Sequence, residues 1–134
     1  MSKKIIFFGT PLFAVKCLKK IVEENFNVIA VVTAPDKPAG RGRHIKTSDV
    51  KQFSMTQKIS VLQPSNLKDP EFIKQLNDLE PDLMVVVAFR MLPKIVWSIP
   101  TQGTFNLHAS LLPQYRGAAP INWAIIRGST NQPI

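Results

Sequence analysis

Apolar residues lie along the chain in five short runs, and the stretches between most of them have helical spacing. The runs are 3–8, 28–33, 60–62, 83–88 and a strand that begins at Phe105. Runs with so few polar interruptions are typical of strands that are buried on both faces of a parallel sheet. After the first run, Ala14, Leu18 and Ile21 recur with the period of a helix that covers such a sheet. The pattern predicts an α/β fold with a doubly wound, mostly parallel sheet.

Several helix boundaries can be predicted from capping residues. Thr10 is expected to cap the first helix with Pro11 at its first position, and Asp69 is expected to cap a later one. A last helix is expected over 118–127, with Pro120 in its first turn and Trp123 as a packing residue.

Length and composition favour one domain that contains the whole segment 1–134. With 45% apolar residues, the chain can form a substantial core. No apolar run is long enough to span a bilayer, and Lys3 and Lys4 lead directly into a strand, so we expect a soluble, cytoplasmic protein without a membrane partner. The single cysteine, Cys17, excludes a disulfide framework, and no cluster of metal ligands is apparent, so no metal is expected.

Positive charge is concentrated in one segment of a chain whose formal net charge is +8. Residues 34–46 contain two prolines, two glycines and four lysines or arginines, a composition that predicts an exposed and mobile loop. Such a loop could be a solvated link between two elements of the fold. It could also be a basic finger that contacts the phosphates of a nucleic acid.

Two polar residues share one face of the strand that begins at Phe105. Asn106 and His108 are two positions apart, so both side chains can reach one reacting centre. An amide donor beside an imidazole suits a reaction in which an oxyanion forms and a proton moves near neutral pH. The same pattern also fits a strand end with a hydrogen-bonded core histidine, so the pair alone does not establish catalysis.

The longer string around this pair resembles a known signature. The sequence Asn-Leu-His-Ala-Ser-Leu-Leu-Pro-Gln-Tyr-Arg-Gly-Ala-Ala-Pro, residues 106–120, is similar to that of the folate-dependent formyltransferases, and its continuation looks like the methionyl-tRNA branch. Residues 8–14 also resemble the amino-terminal signature of that branch. The branch that acts on glycinamide ribonucleotide has a phosphate loop rich in glycine and serine here, which this chain lacks. The resemblance implies a Rossmann-like formyltransferase fold.

The resemblance also implies roles for individual residues. Asn106 would donate a hydrogen bond to the oxyanion, and His108 would stabilise that charge and take part in proton movement. Two segments would bind the folate: Ser110, Leu111, Leu112 and Pro113, and Phe89, Arg90, Met91 and Leu92. Many members have Tyr-Gly at 89–90, so only the backbone role is carried over there. The basic loop would hold the acceptor end of tRNA through Arg41, supported by Lys37, Arg43 and Lys46.

The implied reaction transfers a formyl group from 10-formyltetrahydrofolate to the amino group of initiator methionyl-tRNA in translation initiation, without a metal. The partners would be the tRNA and the folate, and the enzyme is expected to be a monomer. The family completes its site with an aspartate on a later strand and adds a smaller β domain, so we expect a longer parent protein and an inactive isolated segment.

Three alternatives remain open at this point. The chain could act on an amino-sugar nucleotide or another small amine. It could be a non-catalytic fragment that binds tRNA or folate. It could also be a folate-stimulated deformylase, in which water replaces the amine.

Overall fold

The computed structural model describes residues 3–38, 45–109, 121–127 and 130–133, with the backbone alone described for 108, 109 and the last two ranges. The elements in chain order are β1 (Lys4–Gly9), α1 (Leu12–Glu23), β2 (Asn27–Val32), β3 (Lys37–Pro38), β4 (Ile45–Lys46), α2 (Asp49–Thr56), β5 (Ser60–Leu62), α3 (Pro70–Leu79), β6 (Leu83–Val87), α4 (Lys94–Trp97), β7 (Thr104–Ala109), β8 (Ile121–Arg127) and β9 (Thr130–Pro133). Within the described ranges, none of the helices has the length and apolar character needed to cross a bilayer.

The main sheet has the strand order β5-β2-β1-β6-β7-β8-β9. The first five strands in this order pair in parallel, and β8 and β9 extend the sheet in antiparallel fashion beyond β7. All five strands predicted from the sequence are therefore present. The prediction of a doubly wound, mostly parallel α/β sheet is confirmed.

Alternate residues of β1 pack against helices on opposite faces of the sheet. Ile5 and Phe7 contribute to a core with residues of α1 and α2, whereas Ile6 and Phe8 contribute to a core with residues of α3 and α4. These four side chains are at most 3% exposed. Complete burial of such a side chain is worth about 1.5–3 kcal/mol, so this strand is a principal source of stability.

The capping predictions have different outcomes. Asp69 caps α3 as expected, because its Oδ1 accepts a hydrogen bond from the Glu71 N–H at 3.1 Å. The prediction for Thr10 is wrong, since α1 begins at Leu12 and Pro11 occupies the cap position without a side-chain bond. Thr10 Oγ1 instead accepts from the Ala34 N–H at 3.3 Å, which links the residues that follow β1 and β2.

The expected helix over 118–127 is also wrong where the structure describes it. Residues 121–127 form β8, which pairs with β7 on one side and β9 on the other. Isoleucine and tryptophan alternate at 121, 123 and 125, and β-branched and aromatic residues favour strands. Pairing with β7 also provides partners for the backbone hydrogen-bonding groups of β8. The prediction that Trp123 packs as part of a helix is therefore wrong.

The turn between β1 and α1 leaves no room for a side chain at Gly9. A Cβ there would lie 2.7 Å from the Ala14 Cβ and 2.9 Å from the Val87 carbonyl oxygen. The oxygen belongs to the backbone of β6, so it cannot move without disturbing the sheet. The absence of a side chain at Gly9 therefore allows α1 to pack closely on the sheet.

We expect Gly9→Ala to lower the free energy of unfolding by about 1–3 kcal/mol, because overpacking at a rigid site forces backbone shifts. Chemical denaturation of both proteins would measure the difference. Lys16→Ala on the exposed surface of α1 is the control, with an expected change within about 0.5 kcal/mol. Equal stability of Gly9→Ala and the wild type would show that the turn can relax.

Candidate active site at the carboxyl edge of the sheet

The carboxyl ends of the parallel strands form one edge of the sheet. Gly9 of β1, Val87 of β6 and Leu107 of β7 are in register across it. Ligands of open α/β sheets bind in the crevice outside this edge. A cleft of about 480 Å³ lies there, lined by Thr10, Ala34, Pro35, Lys37, Ala88, Phe89 and Arg90.

Asn106 and His108 lie on β7, as the sequence predicted. Asn106 is half-buried and pairs in register with Val86, one position before β6 ends. It alternates with Leu107, which belongs to the core on the α1 and α2 side. His108 is two positions further toward the carboxyl edge, and its backbone pairs with that of Asn122. The structure thus places Asn106 near the carboxyl edge of the sheet, and the catalytic roles of both residues remain predictions.

The loop after β6 presents backbone groups to the crevice. It begins with Ala88 in the left-handed region at φ 50°, an uncommon conformation for alanine. Among the described residues, no hydrogen bond uses the backbone N–H or C=O groups of 89–92. Within the described ranges these groups have no hydrogen-bond partner, and their role toward folate remains a prediction. The other predicted folate-binding residues, Ser110 to Pro113, lie outside the described residues.

The side chain of Arg90, whose role the sequence left open, is bound within the protein. Its two terminal nitrogens donate to the carbonyl oxygens of Pro64 at 2.9 Å and Ser65 at 3.1 Å. Its guanidinium carbon lies 5.0 Å from the centroid of the Phe89 ring, and this ring packs edge-on against Phe8 at 5.6 Å. Sequence spacing gave no signal for this arrangement, because the carbonyl partners are 25 and 26 positions away.

A second cleft of about 480 Å³ adjoins the first at Arg90. It is lined by residues 65–68 and 90–93. Met91 is almost fully exposed, whereas Leu92 is buried and anchors the loop in the core. The loop thus has a fixed end and an accessible middle.

The basic segment begins as a short hairpin, and the residues of its two strands are exposed, as the sequence predicted for this segment. Strands β3 and β4 pair antiparallel, with Lys37 opposite Lys46. Both lysines are exposed, and both line a smaller cleft of about 210 Å³ beside Thr10 and Ser48. Two neighbouring ammonium groups favour an anionic ligand. Arg41 and Arg43 lie outside the described residues.

Asp36 fixes the base of this hairpin, a role that sequence reasoning missed. Its carboxylate accepts hydrogen bonds from Lys51 Nζ at 2.8 Å and from Gln63 Nε2 at 2.7 Å. Both bonds favour the charged form and hold the pKa of Asp36 below its ordinary value. The Asp36 carboxylate, which lies within the basic segment, is thus held by side chains of the same protein. In the described part of the chain, no three histidine, cysteine or acidic side chains are grouped to hold a metal.

The lowered pKa of Asp36 predicts a loss of stability in acid. The contribution of the charged carboxylate is complete above its unfolded-state pKa of about 4 and is lost as the pH falls through the lower folded value. We therefore expect wild type to exceed Asp36→Asn in unfolding free energy at neutral pH, with the gap closing at low pH. Urea unfolding at a series of pH values would measure it.

Asp78→Asn is the matched control for this experiment. Its pair with Lys74 is exposed, so its removal should change stability little at any pH. A gap between wild type and Asp36→Asn that is independent of pH would contradict the role given to the carboxylate charge.

Residues 3–132 match a family described as Formyl transferase. The chain is 57% identical over 131 residues to a methionyl-tRNA formyltransferase of Bacteroides thetaiotaomicron, which covers 98% of this chain. It is 60% identical over 127 residues to the protein of that name from Flavobacterium johnsoniae, and 53% identical over 126 residues to that from Clostridioides difficile. These matches cover 95% and 93% of this chain. The chain spans about 40% of the length of these curated relatives.

Among solved structures, a phosphoribosylglycinamide formyltransferase from Anaplasma phagocytophilum matches with a TM-score of 0.63 and 16% identity. The match covers 94% of this chain and 65% of that protein. At this identity it shows a shared fold, in agreement with the mostly parallel sheet. The family match extends over nearly the whole sequence, and the chain belongs to the formyl transferase family.

Proposed function

We propose that this chain carries the formyl-transfer site of an enzyme that formylates the amino group of initiator methionyl-tRNA with 10-formyltetrahydrofolate. The main support is its identity of 53–60% to proteins named methionyl-tRNA formyltransferase. A crevice at the carboxyl edge and a basic hairpin at its rim suit a donor and a polyanionic acceptor, respectively.

The folate binds beside the loop after β6. The backbone groups of 89–92, which bond to none of the other described residues, can bond the edges of its ring, and this requires no particular side chain. Ser110, Leu111, Leu112 and Pro113 provide the other contacts by family resemblance. Buried Leu92 supplies a fixed end to the loop, so the backbone groups hold their positions.

The chemistry requires charge stabilisation and proton movement. The amine attacks the formyl carbon, a tetrahedral oxyanion forms, and the folate nitrogen leaves with a proton as the C–N bond breaks. Asn106 donates a hydrogen bond to the oxyanion, and His108 stabilises the charge and helps to transfer the proton. A preorganised donor of this kind is worth on the order of 3 kcal/mol in the transition state.

The acceptor tRNA lies along the basic hairpin. Lys37 and Lys46 at its base, with Arg41 and Arg43 further along the segment, contact phosphates near the acceptor end. A small amine has no phosphate backbone to contact, so this segment favours tRNA over an amino-sugar nucleotide.

The relatives extend well beyond the matched segment, so we propose that these residues act within a longer cytoplasmic enzyme. Its remaining parts supply the aspartate that orients His108 and a second domain that binds tRNA. On this proposal the enzyme is a monomer that uses no metal, and residues 1–134 alone are inactive.

Formylation of charged initiator tRNA by the full-length protein tests the proposal. We expect His108→Ala to lower kcat about a hundredfold at saturating substrates, because it removes transition-state stabilisation. Arg41→Ala should raise the KM for tRNA and leave kcat within about twofold, because it removes binding that is uniform along the reaction. Lys20→Ala, an exposed residue on α1, is the control for loss of one positive charge.

Folate binding without formylation of tRNA would refute the acceptor and redirect the search to small amines. Unchanged kcat in His108→Ala would refute the catalytic assignment. An equal effect of Arg41→Ala and Lys20→Ala on the KM for tRNA would show that the basic segment contributes only through its charge and makes no specific contact with tRNA.

A further inference from the structure

The segment Gln63–Ser65, here called the connector, touches both sides of the crevice. It follows β5, the edge strand of the sheet, and leads toward α3. At its start, Gln63 Nε2 donates to the Ala34 carbonyl at 3.1 Å and to Asp36 Oδ1 at 2.7 Å. At its end, the carbonyl groups of Pro64 and Ser65 accept from Arg90. Three successive residues therefore join the base of the basic hairpin to the loop after β6.

We propose that the connector is a brace that positions both halves of the crevice, and that Gln63 and Arg90 are its two positioning residues. The assignment of the two sides to tRNA and folate rests on the proposed function. The link between the two sides rests on the hydrogen bonds alone.

The Arg90 end of the brace is held in a fixed orientation. Two N–H donors of a planar guanidinium match two successive carbonyl groups, a geometry that a lysine ammonium does not reproduce. One face of the guanidinium lies over Phe89, whose ring contacts the buried ring of Phe8. Movement of the connector is thus transmitted to the folate-side loop and to β1.

The Gln63 end follows a short strand at the edge of the sheet. Strand β5 is three residues long and pairs with β2 alone among the described strands. Its last residue, Leu62, accepts from the Thr33 N–H at 3.0 Å, next to the Ala34 carbonyl that Gln63 binds. Loss of either Gln63 or Arg90 therefore loosens a short edge strand at the point where the hairpin begins.

Lys51 provides a matched comparison. It binds the same carboxylate of Asp36 as Gln63 does, but from α2, and its side-chain hydrogen bond in the described structure goes to Asp36 and not to the connector. Lys51→Met weakens the hairpin base alone, whereas Gln63→Met weakens the hairpin base and the brace. The two variants thus separate local support from transmission across the crevice.

The first test needs no ligand and uses amide hydrogen exchange on the full-length protein. We expect Arg90→Met to accelerate exchange at Thr33 and Ala34 about tenfold, because the contact that restrains local opening of these residues is lost. Lys94→Met, which removes an exposed cation near the same loop, should leave these amides unchanged. Arg90→Lys should behave like Arg90→Met if the paired carbonyl bonds matter, and like wild type if charge alone does.

Equal exchange in Arg90→Met and Lys94→Met would overturn the brace, as would rescue by Arg90→Lys. Because no substrate is involved, this result is independent of whether the protein formylates tRNA.

The second test measures the KM for 10-formyltetrahydrofolate at saturating tRNA. We expect Gln63→Met to raise it about fivefold with kcat little changed, since the loss of hydrogen bonds displaces the binding loop but not β7. Lys51→Met should leave it near the wild-type value. Equal KM values for Gln63→Met and Lys51→Met would contradict the proposal that the connector links the hairpin base to the loop after β6. Failure of wild type to formylate tRNA would instead refute the proposed function, and the exchange test would still decide the brace.

Discussion

The site depends on the burial of β1. Ile6, Phe7 and Phe8 are inaccessible to solvent, and the strand pairs in parallel with β2 on one side and β6 on the other. A shift of one residue would exchange the side chains that face the two cores and so disturb the packing of both. The turns after β1, β2 and β6 therefore emerge at fixed positions along one edge of the sheet. The polar groups that line the crevice obtain their relative positions from this apolar strand.

Opposite edges of the sheet are stabilised by acidic residues in different ways. At the amino edge, Asp82 accepts a hydrogen bond from the Lys4 N–H at 2.8 Å, which lowers the pKa of its carboxyl group and joins the start of β1 to the start of β6. At the carboxyl edge, Asp36 joins the basic hairpin to α2 and to the connector. Each carboxylate fixes a backbone segment that the apolar core does not reach. In this fold, hydrophobic burial determines the positions of the strands, and a few charged hydrogen bonds hold the segments that connect them.

Sequence patterns predicted the parallel strands because their information is local. Continuous apolar runs identified β1, β2 and β6, and the alternation of Asn106 with Leu107 placed the candidate catalytic pair on a strand. The wrong predictions concern residues whose conformation depends on contacts with residues distant in sequence. Residues 121–127 have apolar positions compatible with either a helix or a strand, and pairing with β7 favours the strand. The bonds of Arg90 and Asp36 join residues far apart in sequence, so no local spacing could predict them.

The left-handed conformation of Ala88 has a consequence for the side chains of the loop that follows it. It sets the direction of the backbone as β6 ends, before any side chain of the following loop is reached. On the proposed function, recognition through the N–H and C=O groups of 89–92 would depend on the path of the main chain and hardly on residue type. Neither the Phe89 nor the Arg90 side chain would then be needed to bind a folate ring. The freed side-chain positions become available for another purpose, and in this chain Arg90 uses one of them to fasten a neighbouring segment. The side chains at the crevice can thus change while the path of the main chain that lines it stays the same.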